Sequence, residues 1–161
     1  MTMKAAYPSD VSPAHPHVDL ELPDTWVVRP HANAVIAAHD PAGSPNSPTT
    51  VFVTMARVAS TISLDEAVAS AHKAIRRKYR DSQLQRVHAG TVDGKEARFA
   101  VLSISGNDLP IAVFHSEASV LVPTSTPEMN YVIQVLCKCS AKAAPDQAPI
   151  FADIIASLKI S

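Results

Sequence analysis

Glycine is scarce in this chain. It has four glycines (Gly43, Gly90, Gly94 and Gly106), each isolated from the others. Neither G-x-G-x-x-G nor G-x-x-x-x-G-K can be written from them, so the glycine-rich loops that cradle phosphates are excluded. Cysteine is scarcer still. Cys137 and Cys139 are the only two, and they form neither a C-x-x-C redox pair nor the four-ligand spacing of a zinc site. H-E-x-x-H and G-x-S-x-G are both missing, and with them the usual signatures of zinc-dependent hydrolysis and of the nucleophile elbow. No apolar run approaches the roughly 18 residues that a transmembrane helix needs. Net charge is small as well: 14 basic against 15 acidic residues leave −1. A dedicated nucleic-acid binder is usually strongly basic, so nucleic acid is not the expected partner.

The chain does have 161 residues, 47% of them apolar, enough for one domain with its own core and no need of staples. Of its 13 prolines, eight fall within residues 1–48. Residues 1–16 contain Pro8, Pro13 and Pro16 and little that is apolar, and read as a flexible, proline-rich arm. Residues 17–161 read as a single domain. The start of the chain has no apolar core of a signal peptide, and the first hundred residues have no cysteine to carry a lipid; as written, the expectation is a cytoplasmic protein.

Periodicity supplies the elements. His17–Leu22 alternates, with Val18, Leu20 and Leu22 on one face. Short apolar or β-branched runs follow at 34–38 and 50–59, separated by the loop Pro41–Pro48. Ser63-Leu64-Asp65-Glu66 is a capping box. It opens a helix over about 64–80 whose apolar stripe runs through Leu64, Val68, Ala71, Ile75 and Tyr79. Four strands are then expected at 83–91, 95–105, 111–122 and 130–139, with Val92-Asp93-Gly94 as the hairpin turn between the first two. Pro145 and Pro149 introduce a last helix at about 146–158, where Phe151, Ile154, Ile155 and Leu158 make one stripe. This order makes an α+β protein: a central antiparallel sheet of about six or seven strands on which two main helices bury their stripes.

Several of these residues resemble the LpqN/LpqT family of actinobacterial, chiefly mycobacterial, proteins. The residues that carry the resemblance are Leu20-Glu21-Leu22-Pro23-Asp24-Thr25-Trp26, the helix start Leu64–Ala71, Gly90 with the hairpin 92–97, Asn130-Tyr131-Val132-Ile133, and the closing stretch Phe151–Leu158. The resemblance implies an α/β/α sandwich with the fold of the photosystem II subunit PsbP and the nuclear import factor Mog. It also implies a non-enzymatic role in binding or assembly. Family members are often secreted or lipid-anchored; the expectation here is a departure from them, without leader or lipid-bearing cysteine, the alternative being a mature form whose leader has been removed.

The strongest chemical feature is cationic. Lys73, Arg76, Arg77 and Arg80 are spaced i, i+3, i+4 and i+7, so a helix through them presents one basic face, expected to form a binding surface for an acidic partner together with the Pro41–Pro48 loop. No aromatic is expected to sit exposed beside the arginines to stack bases, since Tyr79 belongs to the apolar stripe. Of seven histidines only His15 and His17 are close in sequence, and no cofactor or metal site is indicated. Cys137 and Cys139 read as two buried thiols of a strand. Trp26 reads as a core anchor. Ser103, Ser105, Asp108 and His115 could meet across a hairpin, though ordinary strand-edge polar residues would have the same pattern. Three functional classes follow in order: a non-catalytic protein-binding or assembly module with an unknown partner; a small-molecule or lipid carrier with an apolar pocket between sheet and helix; and an enzyme of unknown class.

Overall fold

A computed structural model describes residues 1–106 and 109–161. The strands are β1 (Val18–Asp19), β2 (Val27–Val28), β3 (Ile36–His39), β4 (Thr50–Ala59), β5 (Gln83–Val92), β6 (Lys95–Ile104), β7 (Val113–Pro123), β8 (Met129–Ser140) and β9 (Lys159–Ile160). The helices are α1 (Leu64–Lys78), between β4 and β5, and α2 (Ala144–Ala156), between β8 and β9. Seven strands form one antiparallel sheet in the order β2-β3-β4-β8-β7-β6-β5, and β1 pairs with β9 alone.

The expected α+β architecture is present, with local differences. Residues 17–22 do not join the central sheet. Only Val18 and Asp19 pair, with Ile160 and Lys159, because Pro23 follows at once and the C-terminus supplies the partner. The place in the central sheet goes to β2, a pair of valines after Trp26. The hairpin turn is as expected: Asp93 and Gly94 have φ of 50° and 72°, as a type I′ turn requires. The capping box also forms. The Glu66 N–H donates to Ser63 Oγ at 3.1 Å, and the Ser63 N–H donates to Glu66 Oε2 at 2.8 Å.

Directly paired side chains share a face of a sheet, so the register assigns the layers. One face carries Val51 and Val53 of β4, Tyr131, Ile133, Val135, Cys137 and Cys139 of β8, and Ala118, Val120 and Val122 of β7. These residues are buried beneath Phe151, Ile154, Ile155 and Leu158 at the far end of the chain. Trp26 belongs to this core. The opposite face carries His115, Glu117 and Ser119 of β7, Ala100, Leu102 and Ile104 of β6, and Gln134 of β8. It is covered by α1, which carries the chain from β4 to the far edge at β5. The result is three layers, α/β/α, with one dry face and one partly polar face.

Residues 1–16 contribute no strand to either sheet. The Arg57 guanidinium carbon lies 5.5 Å from the Tyr7 ring centre and 5.8 Å from that of Tyr131. Arg57 Nε donates to Tyr131 Oη at 3.0 Å, and Tyr131 Oη donates to the Pro13 carbonyl at 3.2 Å.

Candidate functional site

The face under α1 differs from the other because the helix is narrow and its flanks are small. α1 packs over β6 and β7, leaving β4 and the outer part of β8 uncovered. Ala67, Ser70, Ala71 and Ala74 edge the helix there, opposite Thr54, Ala56 and Val58 of β4 and Val132 and Gln134 of β8. These short side chains cannot reach across to fill the gap, and a cleft of about 650 Å³ remains. On the other flank, towards β5, a hollow of about 420 Å³ is lined by Val68, His72, Lys73, Arg76, Leu84 and Val87, with Asp65 at its rim.

Between cleft and hollow, beneath the helix, lies a buried polar cluster. His72, His115 and Glu117 are 6%, 3% and 2% exposed. The His72 Nε2 of α1 is in hydrogen-bond contact with Glu117 Oε1 of β7. Gln134 Nε2 donates to Glu117 Oε2 at 3.1 Å. His115 Nε2 stands 3.2 Å from the same oxygen, but among the described residues neither ring nitrogen of His115 has hydrogen-bond geometry to a partner. Burial pushes the His115 imidazole down to about 4; Glu117 opposes that shift, and Lys138 and His72 add to it. With His72 on one carboxylate oxygen and Gln134 on the other, Glu117 joins α1 to the sheet, and at 2% exposure it is closed off from solvent. Among the described residues no group of His, Cys, Asp and Glu is arranged to hold a metal ion.

Lys73, Arg76 and Arg77 are exposed on α1, and Lys73 and Arg76 border the hollow. Arg80 is exposed but lies beyond the helix, which stops at Lys78 with Tyr79 as its C-cap at φ −126° and ψ 91°. Helical periodicity places Arg80 on the same face. The chain leaves the helix earlier because Tyr79 turns to pack on Ala100, Leu102 and Ile104. The 41–48 loop emerges between β3 and β4, three strand spacings from β6, so it does not adjoin the basic residues.

The other candidates separate. Ser103 pairs with Phe114 and shares the α2 face, whereas His115 faces α1. Ser105 Oγ donates to the Asp81 carbonyl, and Asp108 lies outside the described residues. His15 packs on Tyr131 while His17 meets Asp19. Cys137 and Cys139 are free, buried thiols, pushed up to about 12 and about 11 by burial. The His72–Glu117 link was not foreseen from the sequence. Its trace there is the alternation His115-x-Glu117-x-Ser119 in a strand whose other polar residue is Ser116, which puts three polar residues on one face.

The family model described as "Probable lipoprotein LpqN" matches residues 2–161. No curated protein sequence matches. Among solved structures, LpqN of Mycobacterium tuberculosis, described as involved in cell envelope biogenesis, superposes with a TM-score of 0.75 at 18% identity, over 93% of this chain and 86% of that one. The PsbP protein of the cyanobacterium Synechocystis sp. PCC 6803 superposes with a TM-score of 0.59 at 9% identity, over 99% and 98% of the two chains. A Pseudomonas aeruginosa protein of unknown function gives 0.60 at 12% identity, over 88% and 95%. The family is named for a probable lipoprotein, and this overturns the expectation of a cytoplasmic chain. A leader is a cleaved address that leaves no mark on the folded domain, so the composition of the domain does not decide its compartment.

Proposed function

The chain belongs to the Lpp-LpqN family, and we propose that it is a non-catalytic binding protein of cell envelope assembly that holds an amphiphile's hydrocarbon chain between α1 and strands β4 and β8. One observation carries the reading: the open cleft of about 650 Å³, walled by small and branched apolar side chains. Its volume is within the roughly 300–1,000 Å³ range of small-molecule sites. On the α2 face the larger side chains Phe151, Ile154, Ile155 and Leu158 are buried against the middle of the sheet, so the two faces are built differently. Thr54, Ser119 and Gln134 give the cleft a few polar groups to orient a head group.

Binding of a dansyl-labelled undecanoic acid, followed by fluorescence, tests the reading. Saturable binding is expected, weakened at least about tenfold by Ala71→Trp, which fills the cleft from the helix side. The melting temperature of the variant should stay near that of the parent. Absence of binding, or binding indifferent to Ala71→Trp, overturns the assignment.

The second reading is the protein-binding module with Lys73, Arg76, Arg77 and Arg80 as its contact surface. It is favoured by the grouping of exposed cations: among the described residues no carboxylate lies within ion-pair distance of any of the four. Arg76→Glu with Arg77→Glu should weaken capture of an acidic partner and flatten its salt dependence.

A further inference from the structure

Strand β5 closes one side of the seven-stranded sheet and pairs only with β6. The opposite side ends in β2, which is two residues long and offers almost no edge. β5 runs for ten residues, and from Arg86 to Val92 it keeps unbroken register with β6. Along that stretch every second residue directs its N–H and C=O outward, unpaired. Proteins normally guard such an edge with proline, lysine, inward charge or a covering segment. β5 contains neither proline nor lysine, and its one register irregularity, between Leu84 and Arg86, comes near its start. Gln83 and residues 85–91 are exposed, Val87 among them at 41%.

The edge has a receptor surface on both sides. Side chains of an added strand would alternate between the two faces of the sheet. On the α1 side they would enter the hollow with Leu84 and Val87 at its floor and Lys73 and Arg76 at its rim. On the α2 side they would enter a second hollow of about 410 Å³, bordered by Arg86, His88 and Phe99. Asp65 and Glu96 share the one Arg98 guanidinium, at 2.7 and 3.0 Å, and Asp93 accepts the Ile160 N–H at 2.8 Å with Lys159 and Lys95 beside it. On the α1 side Lys73, Arg76 and Arg98 therefore stand against two carboxylates, and on the α2 side Arg86 has no carboxylate within ion-pair distance among the described residues, so the balance of charge beside the edge is positive on both faces.

From this arrangement we propose that β5 is a strand-addition site for an extended acidic segment of a partner protein. Main-chain hydrogen bonds to the β5 edge would supply affinity, and Lys73, Arg76 and Arg86 would select carboxylates. A second copy of this chain fits less well. Two β5 edges paired antiparallel about a twofold axis normal to the sheet place both α1 helices on one side. Lys73 and Arg76 of the two copies then meet across the joint, and like charges there are repulsive. The inference rests on the basic-face reading and supplies its occupant; the cleft on the other flank of α1 is not involved.

The probe is an end-capped peptide, Glu-Glu-Val-Val-Glu-Glu-Val-Val-Glu-Glu, which places both acid and valine on each side of a strand. Amide hydrogen exchange of the full chain should slow about tenfold within residues 86–91 at saturating peptide. Arg76→Glu and added salt should each weaken binding about tenfold. The same peptide with its second and third valines replaced by proline keeps its charge but has a proline on each edge of the strand, so neither edge can complete the ladder, and it should not bind. If the proline peptide binds equally well, or β5 gains no protection, strand addition fails while the basic-face reading stands. If neither peptide binds, both fail. A dimer in sedimentation that Val87→Pro abolishes would overturn the acidic partner in favour of a second copy.

Discussion

The buried imidazole of His72, on α1, is in hydrogen-bond contact with the carboxylate of Glu117, on β7, across 45 residues of chain. Among the described residues it is the buried one of two polar ties between α1 and the sheet, the other being the exposed Asp65–Arg98 ion pair at 2.7 Å. Helix position and cleft width are therefore coupled to this buried pair as well as to that surface one.

Removing one member of such a pair strands the other in a low-dielectric site. Glu117→Ala leaves His72 and the Gln134 amide without their acceptor. It should cost about 3 kcal/mol or more, measured by urea unfolding. Replacing both members with leucine removes the stranded group and should recover much of that loss. A double variant as damaged as the single one would show that the pair does more than satisfy itself.

His115 sets a pH dependence. Its folded value is depressed to about 4 by burial, against an ordinary value of 6.5. In that window the unfolded chain binds a proton that the folded chain refuses, so stability falls as pH drops from about 6.5 and levels off near 4. The loss is on the order of 3 kcal/mol across the window. His115→Leu should flatten this slope in unfolding free energies measured at steps from pH 7 to pH 4.

Much of the framework around these residues is written locally. The Ser63–Glu66 box starts α1 by hydrogen bonds between neighbours, and Asp93-Gly94 makes the β5–β6 turn by backbone conformation alone. Strand β4 has the limits its β-branched run suggests. What was not legible depends on partners far along the chain. Strands β2 and β9 are two residues each, too short to show a period. α1 ends at Lys78 because of where Tyr79 packs, although the helical pattern continues. The contact of Glu117 with His72 joins residues 45 positions apart, a separation that no local pattern records. The cleft arises from what small residues fail to fill, and periodicity records only that they are small.

Gly90 is explained by a contact. A Cβ at this position would stand 2.7 Å from Cε2 of Phe99, whose ring covers the glycine from the neighbouring strand. Gly90→Ala should cost about 1 kcal/mol and Gly90→Val about 2–3 kcal/mol, because the ring must swing toward the adjoining hollow. Phe99→Leu should reduce the penalty of Gly90→Ala, a non-additivity expected of residues in contact. Thermal unfolding of the parent, the two single variants and the double variant reads it directly.

Asp93 joins the β5–β6 turn to the C-terminus. Its carboxylate accepts the Ile160 N–H at 2.8 Å, with Lys159 Nζ at 3.4 Å and Lys95 Nζ at 3.9 Å. The Ile160 hydrogen bond, followed by the two lysines, holds Asp93 below its ordinary value of 3.8. The folded form keeps Asp93 ionised more readily than the unfolded chain does, so its contribution is present above about pH 4 and is lost as pH falls through the depressed folded value. That window lies below the one governed by His115, so the two effects separate on a pH axis. Asp93→Asn tests the carboxylate alone, because asparagine also tolerates the φ of 50° found here. The variant should keep the hairpin and weaken the β1–β9 pairing. Exchange of the Ile160 amide, and of the His17 and Ser161 amides that bond each other's carbonyls at 2.8 and 3.0 Å, should accelerate while the amides of β6 and β7 do not change. Equal acceleration across the central sheet would mean that Asp93 supports the whole fold and does not act only as a local clasp.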